Sequence, residues 1–459
     1  MTDYGRRRFL MNAGLTVACG GMAATAGAGA VSNATVGGSS ASGAAQWSSE
    51  HGNAANTGYA PSTVGPKPPV TVTWEYDHGG SIAVVDDTVY LTADDGRVHA
   101  LDAADGSVEW TSEISSEKSV TAAGSPAVAS DTVYVSGDRN SPAVTALDAA
   151  NGDVRWKKTD LGYATNLSPV VAGGSVFIIV DKILYALDAD TGKKLWRFEP
   201  NLVSFDGREY GDMLVRRPVA VADGAVFAVS NKRLFARDIE TGDDRWTDML
   251  QENWATEGFS GRPIADDDAV VAIRGGTPTV FDTETGEKRL TLPGHSLDVL
   301  TQDRVYATGE AKSGDGSSSA VITGYDRKTS DDVWHSSPEM QSVGTPIVDD
   351  GSVYAPVEKP SGETGVFAFD TDTGSRKWSV TTDARPSRIA VADETLYAST
   401  ETTLSAIRSE DAGKTADESN EDQGKGQSIP GFTSGVAIAS GVLALEGLRR
   451  RSASGEEAD

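Results

Sequence analysis

Along most of the chain apolar and polar positions alternate with a period of two, which predicts half-buried strands rather than helices. Tyr185 and Leu187 end one such strand, Asp190-Thr191-Gly192 makes a tight turn in which glycine takes a positive φ, and the chain reverses into a strand anchored by Trp196. The unit recurs. Its copies align on an aspartate and a tryptophan: Asp102 with Trp110, Asp148 with Trp156, Asp188 with Trp196, Asp238 with Trp246, Asp326 with Trp334, and Asp370 with Trp378. A further copy from Asp282 keeps Thr285-Gly286 but carries Leu290 in place of tryptophan, so its junction is expected to be the weakest. The spacing is roughly 40 to 50 residues, the range of four-stranded propeller blades.

Upstream of each turn lie two more strand signals, such as Ala127-Val128-Ala129 with Val133-Tyr134-Val135, and Val219-Ala220-Val221 with Val226-Phe227-Ala228. Three-strand groups begin near Ile82, Ala127, Val170, Val219, Ile264, Val299, Ile347 and Ala390. That makes eight groups but one fourth strand too few. The missing strand stands at the front, where Val70 to Tyr76 carries Trp74 without a preceding turn, while the last group ends near Ala406-Ile407 with no tryptophan strand after it. Pairing the first strand with the last group removes the exposed edges of an open array. The predicted fold is all-β: an eight-bladed β-propeller of four-stranded antiparallel blades, closed by the N-terminal strand and spanning residues 47–408.

The flanks read differently. In residues 1–30, Arg6-Arg7-Arg8-Phe9-Leu10 and the Gly- and Ala-rich stretch after them resemble a twin-arginine export signal, with Ala28-Gly29-Ala30 as cleavage site. Cys19, the single cysteine, lies inside that segment, either unmodified or as a lipid acceptor, so the propeller has no disulfide. Residues 31–46 are a Gly-, Ser- and Ala-rich flexible lead, and Trp47 to Pro61 is expected to pack as a cap. Residues 409–428 form an acidic spacer. In 429–459, Pro430-Gly431-Phe432, an apolar run from Val436 to Leu448 and Arg449-Arg450-Arg451 resemble the sorting signal of haloarchaeal surface proteins. The order places the propeller on the extracellular face of the membrane, held by that segment or by a lipid replacing it. Asn33-Ala34-Thr35 and Asn166-Leu167-Ser168 fit the glycosylation sequon.

The net charge of −27 over 459 residues argues against a nucleic-acid partner and fits an acidic surface suited to high salt. The recurring Val-Tyr-x, Ala-Leu-Asp-Ala, Thr-Gly and Trp pattern resembles the pyrroloquinoline quinone repeat propellers. That family includes quinoprotein alcohol dehydrogenases and also non-catalytic relatives, among them a lipoprotein that helps insert outer-membrane proteins. As the resemblance implies, the enzymes hold the quinone over calcium with acidic and Asn ligands, often beside a disulfide of neighbouring cysteines. The domain has no cysteine for it. Asp86-Asp87, Asp266-Asp267-Asp268 and Asp349-Asp350 recur before the second strand of their blades and read as turn residues, so no metal site is assigned. His51, His78, His99, His295 and His335 fall at unrelated repeat positions, and no serine-nucleophile elbow is present.

One constellation stands apart from the repeat. The residues just before the innermost strands read Ser125-Pro126, Ser168-Pro169, Arg217-Pro218, Arg262-Pro263, Thr345-Pro346 and Arg388-Ile389. Three arginines, Arg217, Arg262 and Arg388, are thus expected at equivalent positions round one channel mouth. Their forked donors suit a carboxylate or phosphate of a ligand or partner, unless Asp212 or Glu257 pairs with them. The function read from these features is a monomeric, surface-tethered, non-enzymatic scaffold binding a protein, peptide or glycan, with no catalytic residues and no cofactor. The alternative is an exported dehydrogenase using pyrroloquinoline quinone (PQQ) and calcium.

Overall fold

The computed structural model describes residues 46–114, 124–137, 141–162, 167–249, 258–294, 296–312, 318–336 and 340–410. The chain divides into two units, 1–413 and 414–459. The second lies outside the described residues, as do the export signal, most of the lead and spacer, Cys19 and both sequon asparagines.

The blade pattern is seen plainly in one sheet, Val170–Ala172, Ser175–Val180, Ile183–Asp188 and Lys194–Phe198, in which each strand pairs antiparallel with the next. Numbered along the chain, the first seven blades occupy 80–113, 127–158, 170–198, 220–249, 259–291, 299–335 and 342–382. The eighth combines Arg388–Ala392, Thr395–Ser399 and Leu404–Ser409 with Val70–Tyr76, which pairs along Leu404–Ser409 from Val70↔Ser409 to Tyr76↔Leu404. This is the predicted eight-bladed all-β propeller with its predicted closure. An addition is a hairpin, Val203–Phe205 with Arg208–Tyr210, inserted between blades 3 and 4.

The hairpin turn follows from side-chain chemistry. In blade 3 the Asp188 carboxylate accepts from the Thr191 amide at 2.8 Å, the Gly192 amide donates to the Asp188 carbonyl at 2.8 Å, and Gly192 has φ 66°. After each turn a bulge shifts the register by one residue, as between Ala186 and Leu187, and Trp196 then stands opposite Ala186.

A single row crosses each blade from the channel to the rim. In blade 4 it runs Ala220, Phe227, Ala236, Trp246; in blade 8 it runs Ala390, Tyr397, Ala406, Trp74. The small third residue lets the second and fourth meet: ring centroids are 5.9 Å apart for Phe227 and Trp246, and 6.0 Å for Tyr397 and Trp74. Each such indole reaches the following blade. Trp74 Nε1 donates to the Ala103 carbonyl at 3.0 Å, and Trp110, Trp156, Trp196, Trp246 and Trp334 make the same bond to Ala149, Ala189, Ile239, Thr283 and Thr371. Trp378 instead bonds the Pro66 carbonyl, because blade 8 receives its outer strand from the N-terminal side. Six of the seven tryptophans are buried and Trp156 is half-buried.

Blade 5 departs from this pattern. Its row is Ile264, Val271, Val280, Leu290, aliphatic throughout. The junction it makes with blade 6 is tied by a different device: Arg327, only 6 % exposed, forks onto Asp266 and Asp268 and donates to the Thr301 carbonyl at 3.0 Å.

Candidate functional site: a cationic funnel floored by the N-terminal segment

The innermost strands line the channel, and the segment 47–61 is bound to them inside it. Trp47 exchanges two backbone bonds with Val84 of blade 1, and the amides of Val128, Val221, Ala265, Leu300 and Val348 donate to the carbonyls of Ser48, Ala54, Ala55, Thr57 and Gly58. The segment therefore runs round the inside of the ring, touching blades 1, 2, 4, 5, 6 and 7 in turn. Asn56 Nδ2 adds bonds to the carbonyls of Val219 at 2.8 Å and Pro263 at 3.2 Å. Expected as a cap, the segment is a floor. The signal in the sequence was the density of Asn, Gly and Thr, residues able to satisfy many backbone edges in few positions.

The arginines stand three to four residues nearer the strand starts than this floor, about 10 Å at a strand's rise per residue. Strand register places only two of them at equivalent positions. Arg262 lies two residues before Ile264 and Arg388 two before Ala390, whereas Arg217 lies three before Ala220, with Pro218 at the equivalent place. Aligning on the prolines hid that offset. A separate extension holds Arg217: the Val215 amide donates to the Val229 carbonyl, and the Arg217 amide to the Val215 carbonyl, both at 2.8 Å.

The three charges nevertheless share one space. Arg262 has a lowered pKa, first through burial and then through Arg388 and Arg217, with Glu50 and Asp298 opposing. Its Nε is enclosed and has no hydrogen-bond partner among the described residues, while Arg217 and Arg388 are exposed. Arg388 donates to the Ser387 carbonyl at 2.9 Å. Among the described residues none of the three forms an ion pair. Asp212 is committed elsewhere, accepting at 2.7 Å from both Arg233 Nε and Ser230 Oγ. Glu257 lies outside the described residues.

His51 forms the base of the funnel. It is buried, with Nε2 hydrogen-bonded to the Asp298 carbonyl, and its pKa falls well below 6.5 through burial, then the Arg262 charge and, more weakly, that of Arg388. A neutral imidazole therefore donates to the carbonyl and adds no charge. The funnel can receive an anion: three permanent cations, one of them with an enclosed donor unpaired among the described residues, face a space whose base is the neutral His51, with Glu50 and Asp298 as the nearby acids.

The carboxylates of a quinone such as PQQ suit these guanidinium forks, but calcium does not fit. Asp298 Oδ2 already accepts from Ser296 Oγ at 3.0 Å, the Thr308 amide at 2.7 Å and Thr308 Oγ1 at 2.9 Å. Among the described residues no set of three acidic or histidine ligands gathers at the funnel. The acidic runs lie between first and second strands. Asp349 accepts from the amides of Gly65, Gly351 and Ser352, Asp350 from Tyr59 and Ser62, and Asp86 and Asp87 have φ of 48° and 63°. Of the histidines, His335 stands at the rim near Asp332, and His295 lies outside the described residues. His78 and His99, unrelated in the repeat, meet in space with ring centroids 5.0 Å apart.

The family profile described as "Outer membrane protein assembly factor BamB" matches residues 32–292 and 291–442. Among solved structures, BamB from Moraxella catarrhalis is 20% identical, covering 74% of this chain and 98% of that one, with a TM-score of 0.52. Europium-containing methanol dehydrogenase is 13% identical, covering 79% and 98%, with a TM-score of 0.60. A quinohemoprotein alcohol dehydrogenase from Pseudomonas putida HK5 is 15% identical, covering 79% and 80%, at 0.58. At such identities these likenesses show the fold alone. A polyvinylalcohol dehydrogenase of Pseudomonas sp is 28% identical over 182 residues, 33% of this chain and 28% of that protein's length, so the match spans less than a third of that relative.

Proposed function

The chain belongs to the family of the outer membrane protein assembly factor BamB, and from that premise we propose that it is a non-enzymatic binding scaffold that takes an anionic group of a protein, peptide or glycan partner into its arginine funnel. The observation that carries this reading is the set of Arg217, Arg262 and Arg388, in which the charges of Arg388 and Arg217 both act on the buried Arg262, without an ion-pair partner among the described residues of a chain of net charge −27. Cations left unpaired amid such an excess of acid are suited to an external anion. The floor keeps that anion at one mouth. Export in folded form and tethering through the C-terminal segment complete the proposal, placing the mouth outside the cell.

The test uses citrate and a short polyglutamate peptide as probes, titrated calorimetrically into the tag-free chain. Both should bind, and the double variant Arg217→Ala, Arg388→Ala should weaken them more than roughly tenfold, since one charge-assisted contact is worth about 1.5 to 3 kcal/mol. Unchanged affinity in the double variant would remove the funnel from the reading. The dehydrogenase alternative is favoured by the polyvinylalcohol dehydrogenase match. Alcohol-dependent dye reduction after incubation with PQQ and calcium would establish it and overturn the scaffold.

A further inference from the structure

The one place among the described residues where metal-ligating side chains converge lies far from the funnel in sequence register, on the seam that closes the ring. His78, Asp95 and His99 each bring a ligand atom within 4.8 Å of the others. They come from both sides of the closure. His78 lies on the link between the closing strand, Val70–Tyr76 of blade 8, and Gly80–Val85 of blade 1; Asp95 lies in the turn after Thr88–Ala93, and His99 on Arg97–Asp102.

We propose that His78, Asp95 and His99 bind a zinc-type divalent transition ion that clasps the closing strand to blade 1. Two imidazoles and a carboxylate are a donor set for such ions, whereas calcium and magnesium prefer oxygen alone. The ring of His99 is already oriented. Tyr76 Oη lies 2.8 Å from its Nδ1, and Asp95 Oδ1 and Oδ2 each lie 3.2 Å from its Nε2. Without metal, Nε2–H donates to Asp95 and Nδ1 accepts from Tyr76. With an ion between Nε2 and Asp95 the proton sits on Nδ1 and donates to Tyr76 Oη, the outer-shell bond typical of ligating histidines. That exchange of tautomer leaves the proton count of the ring unchanged.

The remaining geometry suits entry and closure of the site. His99 is 4 % exposed, Asp95 29 % and His78 36 %, so a preset inner pair faces a third ligand at the surface. An ion held at about 2.0 to 2.2 Å from each ligand would draw the three atoms to roughly 3.4 Å apart, a movement that a surface histidine on a link can make. Asp94 stands 3.5 Å from His78 Nδ1 as a further orienting acid. Three protein ligands leave one position for water.

The experiment compares thermal unfolding of the tag-free full chain after EDTA treatment, with and without stoichiometric Zn²⁺. Zinc should raise the midpoint by several degrees with one ion bound per chain, because a ligand that binds only the closed ring stabilises it. Co²⁺ should give visible absorption from a low-coordinate site with nitrogen ligands, and Ca²⁺ and Mg²⁺ should do neither. His78→Asn and Asp95→Asn are surface changes expected to fold, and each should abolish the zinc-dependent rise whatever the metal-free midpoint. A parent with no zinc-dependent rise, or a rise that survives in both variants, would overturn the proposal.

Discussion

Seven of the eight blade junctions are made with tryptophan, and one, from blade 5 to blade 6, is made with arginine. In six of the seven the indole lies flat against a glycine in the next blade's turn: a Cβ built on Gly106, Gly152, Gly192, Gly242, Gly286 or Gly374 would stand 2.4 to 2.7 Å from an indole atom. Glycine is required there twice over, by that contact and by φ between 66° and 75°. Where Leu290 replaces the tryptophan the turn of the next blade carries Ser330, also at positive φ (64°), and Arg327 is added beside it. The aromatic of the second strand is gone as well, replaced by Val271, and the small residue of the third by Val280. Five positions between Val271 and Ser330 therefore change together. A junction is a unit, and losing its anchor removes the reason for the glycine beneath it.

The Leu290 junction, expected from its sequence to be the weakest, is built on a different device. It uses a chain of charges, Asp282 to Arg289 at 2.7 Å, Arg289 to Asp268 at 2.7 Å, Asp268 to Arg327 at 3.1 Å, and Arg327 to Asp266. The two devices should fail differently. The largest effect is expected on the aromatic side: Trp246→Ala should cost about 3 to 5 kcal/mol through the cavity and the lost bond to Thr283. Arg327→Ala should cost less, about 2 to 3 kcal/mol, because the carboxylates it abandons, 28 % and 64 % exposed, regain water. Urea denaturation of both variants ranks them, and a neutral Arg327→Ala would show that the charges do not hold this junction.

Between glycine and serine the contrast should be sharper than either residue's size suggests. Gly286→Ala meets Trp246 at 2.5 Å with φ +71° and should destabilise by about 1 to 3 kcal/mol. Ser330→Gly faces no indole and should stay within about 1 kcal/mol. Equal effects at the two sites would separate the glycine from the tryptophan that lies on it.

The smallest difference is in acid. Hydrogen bonds from Arg289, and then from Thr285, hold Asp282 down to about 2, below its ordinary value near 4. A depressed carboxylate stabilises the fold above its unfolded pKa, and that contribution is lost as pH falls from about 4 through about 2. Urea midpoints measured at pH 5 and pH 3 should converge between the parent and Asp282→Asn as pH drops. A gap that widened toward pH 3 would contradict the assignment.

What was legible in the chain was what neighbours in sequence decide. Period-two alternation, the Asp-Thr-Gly turn and a tryptophan four residues past the glycine are local, and eight three-strand groups with one strand to spare at the front and one wanting at the back leave a single economical closure. The seven tryptophans and the arginines near the inner strands were visible for the same reason. Tertiary structure alone decided the rest, because those contacts join residues whose separation carries no periodic signal. His78 and His99 occupy unrelated repeat positions and meet only because the closing strand crosses the seam. Arg217 falls one residue out of register with Arg262 and Arg388, in a stretch bonded through Val215 to Val229, and Asp212 turns to Arg233. The floor of the channel is written in short polar residues whose partners, the free edges of six inner strands, exist only once the ring has closed.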